Sequence, residues 1–285
     1  MRLSRGLLLV SAAFGALSVV AALSSAHEVS LQCATAMLVA LAGYVAAQGR
    51  TSGPRVRWGL TAGIGFLAAV MAARLLWYGE RAADRDRLVS GRTIPSTSTI
   101  LEQWRLTIDQ ERMAAAGLLL GLLSLAVAVL ALPQRRSATR GAATAVVALL
   151  LLVLVGRAVI RLSLLAPLDE LVAAAWPALL ATIVAAGLLV VSGRRAAPAW
   201  LLPIGALLVA SAAASTVDDL VGTWRAWWMS VNPRQNVALP SFGVRLTGDE
   251  SPQWSAAWEV VVALAGPALL AIGALNPRRD ADTYS

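Results

Sequence analysis

Residues 140–170 read RGAATAVVALLLLVLVGRAVIRLSLLAPLDE. The run starts in a basic cluster with Arg135, Arg136 and Arg140, passes through a long apolar stretch, and ends at Pro167, Asp169 and Glu170. A helix over 142–165 is long enough to cross the hydrocarbon core of a bilayer. Arg157 and Arg161 fall one turn apart on one of its faces, near its far end. Two guanidinium groups still inside an apolar run need either a partner or a route to water.

Working outward, the same pattern recurs seven times, over 6–26, 29–48, 58–78, 113–132, 171–191, 200–217 and 256–275. Of the 285 residues 58% are hydrophobic and only 14% charged, and the mean hydropathy is +0.69. That balance is far too apolar for an ordinary soluble domain. The expected fold class is all-α, a polytopic integral membrane protein of about eight transmembrane helices.

The formal charge of +8 is cut into short clusters between the apolar runs, as positive-inside topology requires and nucleic-acid binding does not. Arg2, Arg5, Arg50, Arg55, Arg57, Arg135, Arg136, Arg140, Arg194, Arg195, Arg278 and Arg279 all fall at one end of the spans. Every acid from Glu28 to Glu259 falls at the other. Eight spans with both termini cytoplasmic follow, and the expected location is a bacterial plasma membrane. The first run resembles a signal peptide, since Ser24, Ser25 and Ala26 approximate a cleavage site. It exceeds a usual signal core in length, so it is read as an uncleaved first helix.

Two four-helix units, 1–139 and 140–285, are expected, with long outer segments at 79–112 and 218–255. Trp58 and Gly63 match Trp200 and Gly205, and Gly49-Arg50 matches Gly193-Arg194. Four spans per unit make such repeats parallel. Within the first outer segment Thr99-Ile100-Leu101-Glu102 has the form of a capping box. Ile100, Trp104 and Ile108 then follow at helical spacing, predicting one long helix that runs on into the fourth span. Backbone kinks are expected at Pro177, Pro203 and Pro267.

Several chemistries are excluded. All 24 basic side chains are Arg, so no lysine amine exists for a Schiff base. His27 and Cys33 are the sole residues of their types, which argues against structural zinc, bis-histidine haem and thiol redox pairs. No P-loop, HExxH, GxSxG or CxxC sequence is present. No catalytic residue, metal site or cofactor is assigned, and no nucleic-acid partner is expected.

The candidate site is a rim of charge at the acidic end. Arg74 lies roughly 24 Å beyond Trp58, Arg157 roughly 25 Å beyond Arg140 and Asp218 roughly 27 Å beyond Trp200, at 1.5 Å per helical residue. Snorkelling to lipid phosphates would satisfy the arginines. The reading taken is that Arg74, Arg157 and Arg161 turn inward toward Asp218, Asp219 or Glu259 and wall an outward-facing vestibule. Trp224, Trp227 and Trp228, at helical spacing, are candidates for an aromatic lid over it. Asp169 and Glu170 suit the start of the sixth helix. No span carries a charge near its midpoint, which weakens an ion-coupled carrier. The expected function is therefore non-enzymatic: a module binding or passing an amphiphilic or anionic ligand. The competing classes are an accessory subunit that docks a membrane or extracytoplasmic protein through its outer segments, and an enzyme acting on a lipid-linked substrate.

Overall fold

The computed structural model describes residues 2–48, 53–89, 97–134, 138–163, 168–195, 200–231 and 254–275. They form eight helices: α1 (Arg2–Leu23), α2 (His27–Gln48), α3 (Pro54–Val89), α4 (Thr97–Leu130), α5 (Ala138–Ser163), α6 (Leu168–Ser192), α7 (Leu201–Val231) and α8 (Trp254–Leu275). Each is long and apolar enough to cross a membrane. No strand occurs among the described residues. Among the described residues Arg55, Arg57, Arg140, Arg194 and Arg195 lie at one end of the bundle, and Glu28, Glu111, Asp169, Asp219 and Glu259 lie toward the other.

The long outer segments are helical continuations of their spans. α3 extends to Val89, α4 starts at Thr97 and runs unbroken to Leu130, and α7 continues through Asp218 and Asp219 to Val231. The seventh span therefore does not stop at 217. Three of its polar side chains, Ser215, Thr216 and Thr223, return hydrogen bonds to carbonyls of the preceding turn, so the helix crosses the polar stretch without exposing its donors. The segments 232–253 and 276–285 lie outside the described residues.

The α1–α2 turn is closed by its own backbone. Ala26 N donates to Ala21 O at 2.9 Å and Ser25 N to Ala22 O at 3.2 Å, with Ser25 in the left-handed region at φ 59°. Beyond the turn the two helices are tied by serines. Ser18 Oγ donates to Ser30 O at 2.8 Å and Ser30 Oγ to Ser18 O at 3.0 Å, while Ser11 Oγ reaches Met37 O at 3.2 Å. Such bonds replace the hydrophobic drive that apolar helices lack when their surroundings are equally apolar. At the basic end Arg195 Nη1 donates to Leu132 O at 2.6 Å, and the Arg140 guanidinium lies 5.3 Å from the Trp200 ring.

Small residues bring the longer helices together. A Cβ on Gly63 would stand 3.0 Å from Gly121 O and 2.7 Å from Leu125 Cγ, so α3 and α4 touch through backbone there. A Cβ on Gly205 would stand 2.9 Å from Gly266 O and 3.0 Å from Leu270 Cγ, so α7 and α8 do the same. The core next to these crossings is filled by Leu60, Ile64, Leu122, Leu125, Leu202 and Leu270, all fully buried. Pro177 and Pro267 sit inside α6 and α8. Pro203 falls in the first turn of α7, where an N–H has no helical partner anyway, so the break expected there has no cause. The perimeter is apolar: Leu9 on α1 is 71% exposed and Leu154 on α5 66%. Such a girdle of exposed large aliphatic side chains is compatible with a lipid surrounding.

Candidate functional site

Arg74 and Glu111 stand almost equally far from the 90–96 connection between α3 and α4, so an antiparallel hairpin sets them opposite each other. Arg74 Nη2 donates to Glu111 Oε2 at 3.3 Å, and the Glu111 side chain is only 17% exposed. A part-buried carboxylate at that depth needs its cation. Asp219 of α7 and Glu259 of α8 approach the same place from the other half of the bundle.

Two adjoining cavities share Arg74 and Asp219. The inner one, about 90 Å³, has an apolar floor that includes Leu38, Leu67, Leu118 and Val209, with Glu259 and Pro267 on the α8 side. That volume is room for several waters or a short alkyl chain. The outer one, about 370 Å³, is edged by Glu111, Thr223 and two aromatics, Trp77 and Tyr78. Together they make a funnel at the acidic end, polar at the mouth and greasy at the base. His27 tilts against Tyr78 with ring centroids 6.3 Å apart, which fixes one side of the mouth.

The funnel is walled by α2, α3, α4, α7 and α8. Arg74, Asp219 and Glu259 of the expected set therefore come together. Asp218, exposed like Asp219 and Glu259, lines neither cavity. Arg157 is exposed on α5, a helix that packs on α6 and α7 and contributes no lining residue to either cavity. The Arg161 side chain lies outside the described residues.

Trp224, Trp227 and Trp228 use a different face of α7. Trp224 and Trp228 are buried against Ile108, Leu171 and Val221, their rings stacked at 6.4 Å. Trp224 and Trp227 wall a separate cavity of about 500 Å³ with Arg105, Asp109, Arg112 and Glu170. They thus sit beside the funnel and help fasten α7 to α4 and α6. Asp169 and Glu170 occupy the first turn of α6 and are exposed, where their charge suits the helix dipole.

Sequence reasoning missed Glu111. It sits three residues beyond Ile108 and seven beyond Trp104, on the flank of the apolar stripe of α4, and its equal distance from the loop marks it as Arg74's partner. Among the described residues no cluster of three His, Cys, Asp or Glu side chains is placed to hold a metal ion. No family model, curated protein or solved structure matches this chain.

Proposed function

We propose that the protein is a multi-pass membrane protein whose acidic end faces away from the cytoplasm, and that its funnel binds an amphiphilic ligand, apolar portion inward and polar group at Arg74 and Asp219. The carrying observation is the continuity of the two cavities through those two side chains, with an aliphatic floor beneath them. Charged groups so near an apolar interior are costly unless paired or put to use. The route is closed below by the glycine-mediated crossings and the buried leucines around them, so the geometry favours binding over an open passage.

Paired glycine contacts, which we read as an internal repeat, support this placement. Gly63 meets Leu125 as Gly205 meets Leu270, and Gly121 meets Leu67 as Gly266 meets Val209. α2 packs on α8 as α6 packs on α4. In a parallel repeat of residues 1–139 and 140–285, Leu67 and Val209 are equivalent positions, and both line the inner cavity. The funnel then lies where the halves meet, the place such folds use for ligands. Arg74 answers to Thr216, and Ala114 to Glu259, so the two halves have diverged at the lining.

The test is saturable binding of eight-carbon amphiphiles to protein in neutral-lipid nanodiscs, with empty nanodiscs as reference. Ala212→Phe on α7 and Ala263→Phe on α8 each place a ring in the inner cavity and should abolish the saturable component while the protein stays monodisperse. Saturable binding indifferent to both rings, or none with any headgroup, removes the proposal.

A further inference from the structure

The chemistry of the ligand's polar group can be read from what the funnel wall has left to offer. The hydroxyl donors of α7 are spent. Arg74 Nη2 is given to Glu111, Ser215 Oγ and Thr216 Oγ1 both donate to Ala212 O at 3.0 Å, and Thr223 Oγ1 donates to Asp219 O at 2.9 Å. Of the Arg74 guanidinium, Nε is buried and without a partner.

Acceptors are in surplus. The Asp219 and Glu259 carboxylates have neither ion-pair nor hydrogen-bond partner among the described residues, and both face the inner cavity. The hydroxyls of Ser215 and Thr216, having given away their hydrogens, present only lone pairs. Pro267 has no N–H for the carbonyl of Ala263 one turn earlier, and both residues line the cavity. In charge, one guanidinium stands against Glu111, Asp219 and Glu259.

We propose that the ligand is an amphiphilic amine: an ammonium group with N–H donors held by Asp219 and Glu259 at the mouth of the inner cavity, with its alkyl portion on the floor of Leu38, Leu67, Leu118 and Val209. This rests on the binding reading above and narrows it, replacing the anionic ligand expected from the arginines alone. An anion would meet three carboxylates against a single guanidinium that Glu111 already shares. An ammonium supplies three donors and no acceptor, the complement of this wall. Trp77 and Tyr78 in the outer cavity add ring faces that attract a cation on its way in.

Two probes of equal chain length decide it: n-octylammonium and n-octyl sulfate, titrated at neutral pH into the nanodisc-held protein with empty nanodiscs subtracted. The expected result is that the ammonium binds at least about tenfold tighter than the sulfate, as one charge-assisted contact predicts. Asp219→Asn and Glu259→Gln should each weaken ammonium binding about tenfold. Arg74→Gln should strengthen it, because removing the guanidinium leaves the carboxylates uncompensated; this opposite sign separates charge recognition from a loss of folding. Sulfate binding equal to or tighter than ammonium, or a gain of sulfate affinity withheld from Asp219→Asn, overturns the amine while leaving an amphiphile site standing. Failure of both probes to show a component removed by Ala212→Phe and Ala263→Phe overturns the amine together with the site it rests on.

Discussion

Gly63 and Gly65 are two residues apart on α3 and present opposite situations. A Cβ at Gly63 would lie 2.7 Å and 2.8 Å from Leu125 Cγ and Cδ2 and 3.0 Å from Gly121 O, whereas a Cβ at Gly65 would meet nothing within 4 Å. Carbon pairs settle at about 3.5–4.0 Å, so Gly63→Ala drives α3 and α4 apart by several tenths of an ångström at their tightest point. Leu125 is fully buried and has nowhere to turn. Overpacking of this kind costs about 1–3 kcal/mol. Gly65→Ala carries no such clash and gains up to about 1 kcal/mol of helix propensity. The assay is reversible unfolding in mixed micelles, reading the midpoint for each variant beside the parent. Gly63→Ala should unfold at lower denaturant than Gly65→Ala, and because the propensity gain is common to both, the pair should differ by the overpacking cost of about 1–3 kcal/mol. Equal midpoints would refute the close crossing, and with it the closed base of the funnel.

Three further outcomes are expected. Ser25→Gly relieves a left-handed residue in the α1–α2 turn and should stabilise the protein by about 1 kcal/mol in the same unfolding assay; destabilisation would mean the turn is built differently. Ser18→Ala and Ser30→Ala each delete one of two reciprocal interhelical bonds, so each should cost about 0.6 kcal/mol, with the double variant failing to add because the bonds share a site. Arg74→Glu and Glu111→Arg should each lower the thermal midpoint by setting like charges face to face. The double exchange should recover most of the loss through a coupling of about 0.5–3 kcal/mol, and a double variant no better than the worse single one would dissolve the pair.

The eight helices were legible because each apolar run is bounded by charge, and the sign of that charge alternates from one end to the other. Arg57, Arg140 and Arg195 at one end and Glu111, Asp169 and Asp219 at the other carry the order of the bundle in their sequence positions. Helix ends were less legible. Asp218 and Asp219 look like an exit into water, yet α7 continues past them because Thr216 and Thr223 bond back to their own helix and Trp224 and Trp228 find a core against α4 and α6. Of the site, depth along the helix was readable and direction around it was not. Arg74 and Arg157 lie at similar depth, but α3 is central and α5 peripheral, a difference that depends on which helices neighbour which. Trp224 and Trp227 share the outer end with the funnel and still face another cavity, for the same reason. Glu111 was recoverable from hairpin symmetry about the 90–96 connection, a pairwise argument that a scan of single runs passes over.

The central claim is that a funnel open at the acidic end reaches down to Ser215 and Asp219. It is tested most directly by cysteine accessibility in a Cys33→Ser background, using a membrane-impermeant thiol reagent on intact cells. Cysteines at Asp219 and Ser215 should be modified from outside, the one at Ser215 being protected by the bound amphiphile, while one at Ser124, on the basic side of the glycine crossing, should not react. Modification of the Ser124 position from outside, or none at Asp219 and Ser215, would contradict the funnel and its orientation together.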